Sequence, residues 1–82
     1  MKINEIKNIL DYARECGRLV TITLVSGEVS HINFSKKTKK FTATDDVILD
    51  AEGHLVIKYD TDGSVDYIDS DSILRIFSKE CV

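Results

Sequence analysis

The spacing of apolar residues changes once along the chain, at Gly17, and this change constrains the fold more than any other feature. Before it, apolar residues recur at intervals of three and four, which is typical of one face of an amphipathic helix. After it, β-branched residues alternate with polar ones, as in half-buried strands. We therefore predict a helix over about residues 4–16, with Asn4 as its N-cap and Gly17 at its C-terminal end. The apolar positions of its buried face are Ile3, Ile6, Leu10 and Ala13.

Five or six short strands are predicted over about residues 19–79, separated by glycine turns. Ser26-Gly27 predicts a tight two-residue hairpin connection before a strand over residues 28–34, and a third strand is expected over about residues 41–49. The polar residues 69–72 predict a short helical turn before the last strand. With 82 residues the chain suits one domain, 1–82, and is too short for a two-sheet sandwich. We expect a mainly β fold, with an N-terminal α-helix followed by a small, strongly bent antiparallel barrel that removes its sheet edges.

Acidic residues are concentrated in the second half of the chain. The net charge is −3, yet residues 45–71 carry nine acidic side chains against Lys58 alone. This segment would attract a basic protein surface and repel the phosphates of nucleic acids. We expect a non-enzymatic binding module in which five aspartates contact a protein partner. They are Asp60, Asp62, Asp66, Asp69 and Asp71.

A run of lysines offers an alternative site. Four cations within five residues form a predicted exposed loop that could bind nucleic acid, which is the less favoured interpretation. Alternation points the flanking Phe34 and Phe41 inward and leaves Tyr59 and Tyr67 as exposed rings or as cross-strand neighbours. The lysines are Lys36, Lys37, Lys39 and Lys40.

Motifs for catalysis, metals or cofactors are not apparent. Residues 60–63 begin like a calcium loop, but Ser64 stands where a further acidic ligand is needed and Val65 where a glycine is needed, so a hairpin turn is favoured. His31 and His54 have no partner at ligand spacing and are expected to be surface histidines. The pattern predicts neither an enzyme nor a cofactor.

The two cysteines and the absence of long apolar runs bear on location. Cys16 and Cys81 lack metal or redox spacing and are expected to be free thiols, with Cys16 packed beside the buried helix face. Neither a signal peptide nor an apolar run of about 20 residues is present, so we expect a cytoplasmic protein that does not enter the membrane.

The order of elements is similar to the Sm-like fold, a small barrel of the SH3-like type. The resemblance rests on the helix, the apolar-x-Leu-x-x-Gly pattern of residues 22–27, the serial hairpins and the helical turn before the last strand. Two positions depart from the family's RNA-binding motifs: Ile48 stands in place of the base-contacting asparagine and Asp69 in place of the arginine. Ile32 also replaces the family's second glycine. RNA binding of the Sm type is therefore not expected.

Layout and charge also resemble the Rof family, small inhibitors that dock on the RNA-binding face of the Rho transcription terminator. The matching pieces are residues 19–27, the hairpin after Tyr59 and the strand 73–77. The resemblance implies a bacterial or phage inhibitor or adaptor that acts in transcription regulation on Rho or another basic nucleic-acid enzyme. Two alternatives stay open: an Sm-like oligomer that binds RNA through the lysine loop, and a structural homo-oligomer that pairs edge strands.

Overall fold

A computed structural model describes residues 1–34, 45–60 and 62–79. Within these ranges the chain forms an N-terminal helix and six strands, which confirms the expected mainly β fold. The elements are α1 Ile3–Cys16, β1 Leu19–Leu24, β2 Val29–Asn33, β3 Asp46–Leu49, β4 His54–Lys58, β5 Val65–Asp69 and β6 Ile73–Lys79, with a 3-10 turn at Ser70–Ser72.

The two ends of α1 differ in how well the sequence predicts them. Gly17 has φ of 65° in the left-handed region and ends the helix as expected, with its N–H donating to the Arg14 carbonyl. The N-cap prediction was wrong, because Asn4 lies inside the first turn and Lys2 occupies the cap without a side-chain hydrogen bond. The α-amino group of Met1 instead donates to the carbonyl oxygens of Ser70 (2.9 Å) and Ile73 (3.2 Å).

The strands form two antiparallel three-stranded sheets, with orders β2-β1-β6 and β3-β4-β5. Their inner faces and one face of α1 enclose a single core. The buried apolar residues are Ile6, Leu10, Ala13, Val20, Ile22, Ile32, Phe34, Val47, Leu55, Ile57, Ile68 and Ile73.

A closed barrel is not seen among the described residues, and on this point the expected architecture is corrected. The start of β3 meets the end of β2 through one backbone bond, from the Asp45 N–H to the Asn33 carbonyl (3.0 Å), rather than through a continuous ladder. Two sheets suffice because α1 supplies a third wall of the core. Arg14 attaches that wall to the free edge of β3, since its Nη2 donates to the Val47 carbonyl at 2.6 Å.

Local irregularities explain the remaining differences from the predicted strands. The β1–β2 connection has three residues rather than two, because Leu24 N–H donates to the Glu28 carbonyl across residues 25–27. Gly27 supplies the positive φ of 92° that this loop needs. The β1–β6 register shifts between Thr23 and Leu24, which leaves Leu74 as the extra residue of a bulge. Residues 41–44 of the expected third strand lie outside the described residues.

Gly53 should be the least replaceable of the turn glycines. It has φ of 88°, and an added Cβ would lie 3.0 Å from both Ile3 Cδ1 and Ser70 Oγ. Gly63 has φ of 72° but no atom within 4 Å of that Cβ position, which makes it a matched control. We expect Gly63→Ala to cost about 1 kcal/mol of unfolding free energy from backbone strain, and Gly53→Ala roughly twice that. Urea unfolding of both variants tests this, and equal midpoints would contradict the packing role of Gly53.

Candidate functional site

The five predicted aspartates are all exposed, but they do not form one cluster. Asp60 and Asp62 lie in the β4–β5 turn with Asp66 beside them, whereas Asp69 and Asp71 lie at the other end of β5. With a rise of about 3.3 Å per residue, Asp66 and Asp69 are separated by about 10 Å along the strand. A partner that touches both groups must therefore span β5.

Three of these aspartates also hold the local structure. The Asp62 carboxylate accepts hydrogen bonds from the Ser64 hydroxyl (2.6 Å) and N–H (2.9 Å), and these bonds lower the pKa of Asp62. Asp69 accepts from the Asp71 N–H (3.0 Å) and so begins the 3-10 turn. Asp66 accepts from the Tyr59 hydroxyl at 2.9 Å. The carboxylates of Asp60 and Asp71 have no hydrogen-bond partner within the described residues.

Asp66 points to the inner side of its sheet. It lies opposite the buried Ile57 in the β4–β5 register, and its carboxylate meets Tyr59 at the rim of the core. Burial, followed by the hydrogen bond to Asp66, raises the pKa of Tyr59 to about 12. Tyr67 lies opposite Val56 rather than Tyr59, so the two tyrosines are not cross-strand neighbours. Asp66 therefore has a structural role, because its carboxylate is bound by Tyr59 on the inner side of the sheet.

The outer side of the β3-β4-β5 sheet carries an exposed apolar row. Ile48 on β3 lies opposite Val56 on β4, which lies opposite Tyr67 on β5. Ile48 is 61% exposed and Tyr67 is 75% exposed, while Val65 in the next row is 45% exposed. We call Ile48, Val56, Val65 and Tyr67 the Tyr67 face. Protein interfaces often have this composition, with an apolar centre inside a polar border.

Charged residues border the Tyr67 face on both sides. Asp46 and Lys58 are paired across β3 and β4 in the row toward the β4–β5 turn. His54 and Asp69 are paired across β4 and β5 in the row at the opposite end. Asp60 follows β4 at the turn, so the border of the apolar row holds three acidic residues together with Lys58 and His54.

Sequence reasoning did not identify Ile48, Val56 or Asp46 as part of a site. The signal was present in the unbroken apolar runs of residues 47–49 and 55–57, since a sheet with one wet face should alternate. Such runs place apolar side chains on both faces. α1 packs on the inner side of the fold, and Ile48 on the outer side stays exposed.

Asp45 and Asp50 act on the backbone rather than at the surface. The Asp45 carboxylate accepts from the N–H groups of Asn33 (2.8 Å) and Asp60 (3.0 Å) and so joins β2 to the β4–β5 turn. Asp50 accepts from the N–H groups of His54 (2.8 Å) and Glu52 (3.0 Å), and the bond from His54 is the main cause of its lowered pKa. Much of the acidic segment therefore stabilises turns.

The structure places His31, Phe34 and Cys16, which were also predicted from the sequence, at separate positions. Among the described residues, no set of three histidine, cysteine or acidic side chains could hold a metal ion. His31 is exposed, with Nδ1 3.2 Å from the Thr21 hydroxyl, and Phe34 is buried as expected. Cys16 is a free cysteine, but it is exposed rather than packed because the buried face of α1 ends at Ala13. Outside the described residues lie Lys36, Lys37, Lys39, Lys40, Phe41 and Cys81.

Comparison with known proteins gave no relative. No protein-family model matches the chain, and neither the curated proteins nor the solved structures gave a significant match. Within the ranges that the structure describes, no helix is long and apolar enough to cross a membrane. The geometry of the Tyr67 face and its border therefore carries the functional argument.

Tyr59 should reveal its environment in an alkaline titration. Because its pKa is raised to about 12, the folded protein holds this phenolic proton over a range where the unfolded chain, with a tyrosine pKa of about 10, releases it. The contribution of Tyr59 to stability is therefore complete below about pH 10 and is lost as the pH rises toward 12. The absorbance titration of the wild type minus that of Tyr59→Phe should show one midpoint near 12. A midpoint near 10 would contradict the contact with Asp66.

Asp62 and Asp60 should differ although they are neighbours in one turn. Asp62→Ala removes two hydrogen bonds from Ser64, whereas Asp60→Ala leaves the bond from its own N–H to Asp45 intact. We expect a lower urea midpoint for Asp62→Ala at neutral pH. The pKa of Asp62 is lowered in the folded state, so this difference should shrink as the pH falls below about 3.8. Equal midpoints at neutral pH would show that the Asp62 bonds do not stabilise the turn.

Proposed function

We propose that this protein is a non-enzymatic binding module that engages a basic protein surface through the Tyr67 face and its acidic border. The observation that carries the proposal is the row of Ile48, Val56 and Tyr67, in which Ile48 and Tyr67 are exposed on either side of the half-buried Val56. Leaving such a row in water forgoes about 25 cal/mol for each Å² that could be buried. A partner that covers the row recovers this free energy, and tyrosine is a frequent hot-spot residue in interfaces.

The acidic border indicates that the partner's surface is positively charged. Asp46 and Asp60 lie at one end of the face beside Lys58, and Asp69 lies at the other end, followed by Asp71. Acidic residues thus outnumber the lysine, and the border has a net negative charge. Complementary charge accelerates encounter and fixes orientation more than it adds affinity. Asp60, Asp62, Asp69 and Asp71 remain contact residues in this proposal. Asp66 contributes charge rather than contact, because its carboxylate is held on the inner side by Tyr59.

The resemblance to the Sm-like and Rof families enters as part of the same proposal. Support comes from the order of helix, hairpins, 3-10 turn and last strand, and from Ile48 and Asp69 where RNA-binding residues would stand. On this basis the partner is a Rho-like ring with a basic RNA-binding face, and the protein is a cytoplasmic inhibitor of transcription termination in a bacterium or phage.

The alternative function places the site at the lysines of residues 36–40, outside the described residues. An oligomer that binds RNA there would not need the Tyr67 face. Variants of the two sites therefore separate the alternatives, as long as each variant retains its fold.

Binding to purified Rho hexamer, measured by biolayer interferometry, tests the proposal. We expect Tyr67→Ala to weaken binding by about 30-fold, as for a hot-spot residue. The triple variant Asp46→Lys, Asp60→Lys and Asp71→Lys should slow association and reverse the salt dependence. These three aspartates are chosen because, within the described residues, no group donates a hydrogen bond to their carboxylates. Tyr12→Ala, which removes a tyrosine of α1 that is 57% exposed, is the matched control and should bind like the wild type.

Each contrary result has a distinct meaning. Absence of binding by the wild type would exclude Rho as the partner. Unchanged binding by Tyr67→Ala would exclude the Tyr67 face. Loss of binding only after replacement of Lys36, Lys37, Lys39 and Lys40 with glutamine would favour the lysine site.

A further inference from the structure

The outer side of the other sheet, β2-β1-β6, differs in charge from the Tyr67 face. Because Val20 and Ile22 point into the core, Thr21 and Thr23 point outward, and the register places their partners on the same side. None of the nine outward positions is acidic, although the whole chain has 14 acidic residues. We call this surface the basic face. Its residues are Leu19, Thr21, Thr23, Val29, His31, Asn33, Arg75, Phe77 and Lys79.

The outer positions of β6 alternate between cations and one aromatic ring. Arg75 and Lys79 flank Phe77, whose side chain is 47% exposed, and the Arg75 guanidinium lies 5.3 Å from the ring centroid. Neither Arg75 nor Lys79 forms a salt bridge to another residue in the described ranges. Two positive charges are thus available to an anionic ligand beside a ring that can accept a flat one.

Two neighbouring hollows lie on the basic face and share Thr21. One, of about 300 Å³, is lined by Thr21, Thr23, Arg75 and Phe77. The other, of about 260 Å³, is lined in part by Thr21, His31, Asn33 and Lys79. Each hollow combines one lysine or arginine with hydroxyl, amide or imidazole groups. Two similar hollows side by side suit a polymer in which each repeating unit carries one negative charge and one polar ring.

We propose that the basic face binds single-stranded nucleic acid. One base stacks on Phe77, Arg75 and Lys79 neutralise phosphates on either side, and Thr21 and His31, which contact each other, offer their remaining polar atoms to bases or sugars. Proteins that bind single strands combine such a positive surface with aromatic rings on which bases stack. A duplex is disfavoured because its bases are stacked inside the helix and are not available to stack on Phe77.

The acidic residues of the Tyr67 face do not prevent this binding. Where the two sheets meet, the Asp45 carboxylate accepts a hydrogen bond from the Asn33 N–H on β2 (2.8 Å). Arg75 and Phe77 lie on β6, two strands away from β2, which is about 10 Å at the usual strand spacing. This separation exceeds the Debye length of about 8 Å at physiological ionic strength. The local charge of the basic face, rather than the net charge of −3, therefore determines its ligand. The inference is independent of the proposed function, because the two faces share no residue.

Fluorescence anisotropy with a labelled twelve-nucleotide oligothymidine tests the proposal on the full chain. Phe77→Leu keeps an apolar side chain but removes the stacking ring, and we expect about a tenfold loss of affinity. With two phosphate contacts, wild-type affinity should fall roughly sevenfold between 50 and 200 mM salt. The double variant Arg75→Gln and Lys79→Gln should lose most of this salt dependence. Tyr12→Leu, which removes an exposed ring of α1, is the matched control and should bind as the wild type does.

Several results would overturn the inference. The first is a wild type that does not bind the oligonucleotide at 50 mM salt. The second is binding that Phe77→Leu and the double variant leave unchanged, and the third is binding that only replacement of the four lysines abolishes. The fourth is self-association in sedimentation that Arg75→Gln disrupts without any oligonucleotide binding, which would assign the basic face to a second copy of the chain. Circular dichroism confirms that each variant is folded before its affinity is compared.

Discussion

The contact between α1 and the turn at Gly53 is the constraint on which the rest of the structure depends. Ile3 approaches Gly53 so closely that a Cβ would lie 3.0 Å away, and the Gly53 carbonyl accepts the N–H of Ser70. One point thus joins the helix, the start of β4 and the 3-10 turn that leads into β6. With this end fixed, Ile6, Leu10 and Ala13 close the core between two sheets that would otherwise be too small to stand alone.

Local features of the fold could be predicted from the sequence, whereas the closure of the sheets could not. The helix and its end at Gly17 follow from residues that are neighbours along the chain. The sheet arrangement depends on how a helix near the N-terminus contacts a turn some fifty residues later. The spacing of apolar residues along the chain does not indicate such a contact. The same distance explains the missed N-cap: the start of α1 is held by carbonyls of Ser70 and Ile73 rather than by a nearby side chain.

The charge of the candidate site can be read from the sequence, but its shape cannot. Counting acids correctly located an acidic region, yet the count cannot separate a carboxylate that binds backbone N–H groups from one that faces solvent. Asp45 and Asp50 are of the first kind, and Asp60 is of the second. The apolar centre was missed because Ile48 and Val56 lie in continuous apolar runs that look like buried strands. Only the register, which sets Ile48, Val56 and Tyr67 in one row, shows that these side chains share an exposed face.

A single helix covers this core, and that fact accounts for two exposed sheet faces of opposite character. Neither outer face contributes to the core, so the need to pack does not determine which residues lie there. Acidic and basic side chains that were mixed on each face would cancel one another locally. The basic face has no acidic residue among its nine outward positions, and acidic residues outnumber Lys58 around the Tyr67 face, so the two faces have net fields of opposite sign that reach about a Debye length into solvent. The described residues measure 36 × 25 × 23 Å, so ligands on the two faces would not touch through the core. A basic protein on one side and a polyanion on the other would each lower the charge of the face they cover. Occupation of one face therefore does not oppose occupation of the other, which is the property that an adaptor between a protein and a nucleic acid requires.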